Sequence, residues 1–325
     1  MSWQRILAPI ALAVLALLPF LLPDYFLHLA VQILIWGFVY TSWSLMGRFG
    51  LVSLGHGAFF GIGAYGAALF WNLLDLSPWL GILISVAAAV LLAFVVAYPA
   101  TRMRVLGHYY ALVTLALSQV VLLSITALRG ITGGSLGMTQ RVVGRSWYAL
   151  QFPQQGEFYL LALGLWLVGL AAWIWVDRGM GSKALEAINE DEGAAAAIGI
   201  NVMREKLRIT LLSAALTALG GGIYAQYIMY VNPETVSGVG ISLQIVFAAI
   251  AGGMYSLLGP TVGSLFTLAL TEGLRVLFGT NFIGAANTIY GVLLILFIVF
   301  MPRGIVGLVE HLATRRQRVA PQPGD

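Results

Sequence analysis

Residues Trp79–Tyr98 read WLGILISVAAAVLLAFVVAY, a run without a single charge. At about 1.5 Å per residue, a helix of that length spans ~30 Å, the depth of a bilayer's hydrocarbon core. Comparable apolar runs, bounded by Gly, Pro or charge, lie near 6–22, 29–46, 57–73, 108–128, 158–176, 208–230, 242–258, 260–278 and 286–301. None of them alternates with the period of two that a barrel strand requires, so the expectation is an all-α, polytopic membrane helical bundle of about ten transmembrane helices. Composition agrees. Of 325 residues, 60% are hydrophobic and 9% are charged, too little charge to cover a water-facing surface.

The net charge of +4 does not point to nucleic acid, because the basic residues stand in short clusters between apolar runs and read as topology signals. With a cytoplasmic N-terminus, the inner segments hold Arg5, Arg48, Arg102, Arg104, Arg178, Lys183, Arg204, Lys206, Arg208, Arg303, Arg315, Arg316 and Arg318. Only Arg129, Arg141, Arg145 and Arg275 fall outside. That asymmetry predicts that both termini are cytoplasmic. Arg5 precedes an apolar run as in a signal peptide, but Ala11-Leu12-Ala13 lies inside the run, so the segment reads as an uncleaved first span. A transmembrane domain is expected over 1–313, followed by a disordered cytoplasmic tail over 314–325. The absence of cysteine excludes disulfides, thiolate zinc sites and cysteine nucleophiles.

The longest inner loop, 177–207, reads DRGMGSKALEAINEDEGAAAAIGINVMREKL. It is acidic and alanine-rich where inner loops are normally short and basic. Ser182 is expected to cap a short helix through Ile188. Glu190, Asp191 and Glu192 then place carboxylates at the start of a second helix, where the macrodipole favours them, and Gly199 ends it. Ala194 to Ala197 offer a smooth surface that another protein can approach. Composition alone leaves open whether this is a docking element or a solvated loop.

The residues resemble a known pattern. Ala194-Ala195 followed by Gly199 is similar to the EAA motif by which ABC importer permeases engage their ATPases, with Gly193 standing where that motif carries Glu. The same departure occurs in LivM-type permeases of branched-chain amino-acid ABC transporters. Their loop is matched by Ala184-Leu185, Ala187-Ile188, Asp191-Glu192, Ala194-Ala195 and Gly199-Ile200-Asn201. Further likeness lies in Leu54 to Tyr65, Tyr109 to Leu115, Thr132-Gly133-Gly134, Gly252-Gly253 and Gly259-Pro260. The resemblance implies a permease subunit in a bacterial inner membrane. It would work beside a second permease subunit of the same family, two cytoplasmic ATPase subunits and a periplasmic substrate-binding protein. ATP and Mg would be used by those ATPases, with no cofactor on this chain. Leucine, isoleucine and valine as substrates come from the resemblance alone, and urea or sugar permeases share the fold. It also brings Thr132, Gly133 and Gly134 forward as residues of the outer mouth.

Polar side chains within the spans are candidates for a substrate pathway or for contacts between helices. Tyr110, Thr114 and Ser118 share a helix face, with Gln119 beside it; Ser213, Thr217, Gly221 and Tyr224 follow a similar line. Glu272 and Arg275, three residues apart, are expected to pair; an unpaired Glu272 at the midplane would instead suit a proton-coupled carrier acting alone. His56 reads as a structural hydrogen-bonding group. No cluster has metal-site spacing, and no constellation suggests a catalyst. Gly61-Ile62-Gly63-Ala64-Tyr65-Gly66 fits a dinucleotide fingerprint but lacks a preceding strand, and Gly133 to Gly137 fits a nucleophile elbow without its strand and helix. No phosphate-binding loop occurs, so any ATP chemistry belongs to another chain.

Overall fold

The computed structural model describes residues 12–105, 107–152, 154–278, 288–289, 291–292, 296 and 304–308. Their long elements are helices: α1 Asp24–Gly47, α2 His56–Leu74, α3 Pro78–Arg102, α4 His108–Ala127, α5 Gln155–Arg178, α6 Met180–Glu190, α7 Glu192–Ala197, α8 Val202–Ile228, α9 Gly238–Gly252 and α10 Gly259–Phe278. Among the described residues, seven segments are long and apolar enough to cross a membrane: α1 to α5, α8, and Pro233–Gly252, which joins a helical turn to α9. The protein is therefore a polytopic helical membrane protein. The predicted ninth span is the 20-residue α10. It falls outside those seven and carries Thr261, Ser264, Thr267, Thr271, Glu272 and Arg275. The start of the predicted first span (6–11), most of the predicted tenth and the whole predicted tail lie outside the described residues.

Each helix answers to its sequence. In α3, Pro78 occupies the first turn, where its missing N–H costs nothing. Leu80, Leu83, Ile84, Leu91, Phe94 and Val95 are exposed along its outer face, as lipid contact requires. The second half of α1 is instead buried on all sides, the signature of a central helix. The other central element is α8, which packs on α1, α2 and α3. Small residues let these backbones meet. A Cβ on Gly63 would collide with the Ala218 carbonyl, and one on Gly221 with the backbone of Phe60.

The all-α expectation needs one small amendment. On the end of the bundle away from α6 and α7, Met138–Thr139 (β1) pairs antiparallel with Tyr230–Val231 (β2). The pair ties the loop after α4 to the end of α8, and Gln140 extends the link by donating from Nε2 to the Ala225 carbonyl at 2.8 Å.

Close packing gives a direct test. Gly63→Ala should destabilise the purified protein by about 1–3 kcal/mol through overpacking. Gly164→Ala in α5, where a Cβ meets nothing within 4 Å, should leave the unfolding temperature in detergent unchanged.

Candidate functional site

The inner loop folds as a compact element in which short helices are held by their ends. α7 has only six residues, too few to persist on helix propensity. Asp191 caps its start, its Oδ1 accepting from the Ala194 N–H at 2.8 Å. At its end Gly199 adopts φ +93°; the Ile200 N–H bonds to the Ala195 carbonyl and the Gly199 N–H to that of Ala196. These two bonds form a Schellman motif, which a left-handed glycine makes possible. The expected termination at Gly199 is therefore observed.

The expected cap at Ser182 is not. α6 begins at Met180 with Gly179 in the capping position. Ser182 lies inside the helix and is buried with Leu185 and Ile188, a spacing of three that places all of them on the inward face. Leu185 and Ile188 carry enough apolar surface to extend the helix back past the serine, and the Ser182 hydroxyl points to Glu186 Oε1 at 3.5 Å.

The element is fastened to the spans at two places. Lys206, in the first turns of α8 and 8% exposed, donates to Glu192 Oε2 at 2.5 Å. Asn189 sits against Gly50, whose φ is +74° and where a Cβ would strike the Asn189 amide oxygen. Below the end of α1, Arg48 donates to Asp177 Oδ1 at 3.1 Å and lies 4.1 Å from the Trp173 ring centre, a cation–π contact. Lys206 was legible only as a topology charge. Its partner is fourteen positions earlier, beyond the i, i+4 spacing by which helical pairs are recognised.

The alanine surface is divided. Ala195 is 2% exposed and faces the core, whereas Gly193, Ala194, Ala196, Ala197 and Ile198 are exposed or nearly so. Glu190 and Asp191 are exposed as well. Beside this face a cleft of about 320 Å³ opens between the element and the ends of α4 and α8, lined in part by Arg104, Tyr110, Glu190, Glu192, Lys206 and Thr210.

Most of the polar stripe inside the spans is spent between helices. Thr114 Oγ1 accepts from the Leu54 N–H at 3.0 Å. Ser118 and Ser242 share a hydrogen bond of 2.9 Å, and Ser242 Oγ also accepts from the Gly57 N–H. Ser213 donates to the Ser42 carbonyl at 2.6 Å, which leaves its oxygen to accept from His56 Nε2 at 2.8 Å. Thr217 pairs with Ser42 at 2.7 Å. Tyr224 packs its ring against Trp36 and Phe60, and Gln119 is half-buried. On the opposite end, Thr132 donates to the Ile125 carbonyl and accepts from the Gly134 N–H, with Gly133 at φ +76° in the bend. Glu272 and Arg275 lie 3.6 Å apart, the expected pair. Among the described residues, no three His, Asp or Glu side chains gather as a metal site.

Comparison with known proteins follows the same line. A family described as "Branched-chain amino acid transport system / permease component" matches residues 25–301. The high-affinity branched-chain amino acid transport system permease protein LivM of Escherichia coli strain K12 is 26% identical over 290 residues, 82% of this chain and 66% of that protein. LivM of Salmonella typhimurium is 27% identical over 298 residues, with the same coverage. The corresponding LivH protein of Escherichia coli strain K12 is 26% identical over 281 residues, 81% of this chain and 88% of that protein. The chain thus spans just under two thirds of the length of the LivM relatives. No solved structure matches it significantly.

If the Lys206–Glu192 pair holds α7 in place, Lys206→Met should raise amide hydrogen exchange over 194–197 by about tenfold, or ~1.4 kcal/mol of local opening. Exchange in α3 should not change.

Proposed function

Because this chain belongs to the branched-chain amino acid transport permease family, as the match over residues 25–301 establishes, we propose that it is the membrane permease subunit of an ATP-driven importer for leucine, isoleucine and valine. It forms half of the membrane path with a second permease subunit of the same family. Likeness to both LivM and LivH, each named as a permease protein of such a system, supports that pairing. Two cytoplasmic ATPase subunits hydrolyse MgATP, and a periplasmic binding protein delivers the amino acid. About ten spans, both termini in the cytoplasm and a bacterial inner membrane complete the reading, supported by the basic residues concentrated on the side of α6 and α7.

One observation carries the mechanical part. The capped, exposed face of Gly193, Ala194, Ala196 and Ala197 is joined to α8 by a partly buried ion pair and to α1 through Asn189 on Gly50. A push from an ATPase on this face reaches the central helices without passing through a flexible linker. Ala195 acts as an anchor turned inward, and Glu190, Asp191 and Glu192 orient the element. In the path itself we assign Tyr110, Gln119 and Tyr224 to the lining. Thr114, Ser118, Ser213 and Thr217 position the helices around it, and Thr132, Gly133 and Gly134 shape its outer mouth. Pairing of Glu272 with Arg275 weighs against a proton-coupled carrier, which needs a free acid at the midplane.

Ala196→Arg places a long cation on the exposed face and should lower uptake of labelled leucine about tenfold or more, with loss of ATPase co-purification and normal membrane abundance. Normal uptake and retained ATPases would show that the ATPases dock elsewhere.

A further inference from the structure

Far from the inner loop, a cavity of about 380 Å³ lies under the loop between β1 and α5, where α5 begins and α8 ends. Its wall includes Arg145, Phe152, Gln155, Phe158, Gln226 and Tyr227. Gln226 is 2% exposed, yet among the described residues neither its Oε1 nor its Nε2 has a hydrogen-bond partner. Leaving a buried donor or acceptor unmet costs about 1–3 kcal/mol for each group. Such a residue at a cavity wall therefore signals something that belongs in the cavity. Arg145 on this wall is held by an ion pair behind it. Glu157 Oε1 accepts from Arg145 at 2.5 Å, while its Oε2 is buried without a partner. The remaining wall is aromatic: Phe158 packs on Tyr227 with ring centres 4.8 Å apart, and Phe152 lies against Phe158.

The wall asks for a particular ligand. The Gln226 amide N–H, beside the Arg145 guanidinium, suits a carboxylate, and the Gln226 amide oxygen suits an ammonium donor. The rings call for an aliphatic body. We propose that this cavity binds a free aliphatic amino acid as its zwitterion, on the outer end of the permease. The carboxylate meets Gln226 Nε2 and Arg145, the ammonium meets Gln226 Oε1, and the side chain rests on Phe152 and Phe158. The cavity lies within the size range of small-molecule sites. The identity of the amino acid rests on the function proposed above, and the site would hold the solute near the point where it is received.

The test is equilibrium binding of tritiated leucine to the assembled permease and ATPase subunits in nanodiscs, without ATP or binding protein. Wild type should bind saturably, with neither leucine amide nor 4-methylpentanoate competing, since each lacks one charge. Gln226→Met, which keeps the volume and removes the amide, should weaken binding about tenfold or more. Arg145→Gln, at an exposed position that does not endanger folding, should do the same. Leucine uptake by the same preparations, supplied with binding protein and ATP, separates the two readings. If uptake proceeds but no saturable binding is found, or the variants bind like wild type, the cavity holds only ordered water and the site is refuted. If wild type takes up no leucine, the proposed function fails instead.

Discussion

In hydrocarbon a polar group has no partner except another part of the protein, and that constraint organises this molecule. The hydroxyls of α1, α4, α8 and α9 are the clearest case. Ser42 and Ser213 bind each other's helices, His56 closes on Ser213, and Ser242 holds both Ser118 and the Gly57 N–H. All of these contacts gather at the inner turn between α1 and α2. Removing any one member strands the others in a medium that offers no water, which is why such knots fix helix positions firmly.

That rigidity gives the inner loop its meaning. A docking face is useful only if displacement there reaches the spans. The proposed docking face is a six-residue helix whose ends are both satisfied, Asp191 at one and Gly199 at the other. Lys206 is held at the foot of α8, and Asn189 sits on Gly50 at the foot of α1. Force applied at α7 therefore arrives at α1 and α8, the two central helices of the bundle. On the proposed reading the logic is mechanical: the chain contributes a path and a lever, and partner subunits that handle ATP supply the energy.

Much of this was legible in the sequence. Apolar runs near 20 residues gave α1 to α5, α8 and α9, because lipid imposes a length that no other solvent does. Asp191 and Gly199 were legible because caps act within a few residues of themselves. Ser182 misled, since a serine near a helix start reads as a cap unless the apolar residues after it are seen to need burial from an earlier turn. The polar stripe was read correctly as a face, but a face does not reveal what opposes it. Lys206 with Glu192, Asn189 with Gly50, and the unmet amide of Gln226 depend on distances across the fold and left no local trace.

On the proposed function, this permease moves its solute with energy from ATP. Labelled leucine uptake into proteoliposomes holding the permease pair and its ATPases, with binding protein outside and ATP enclosed, measures this most directly. The account predicts uptake that stops without enclosed ATP and is indifferent to an imposed proton gradient. Uptake driven by the proton gradient in the absence of ATP would contradict it.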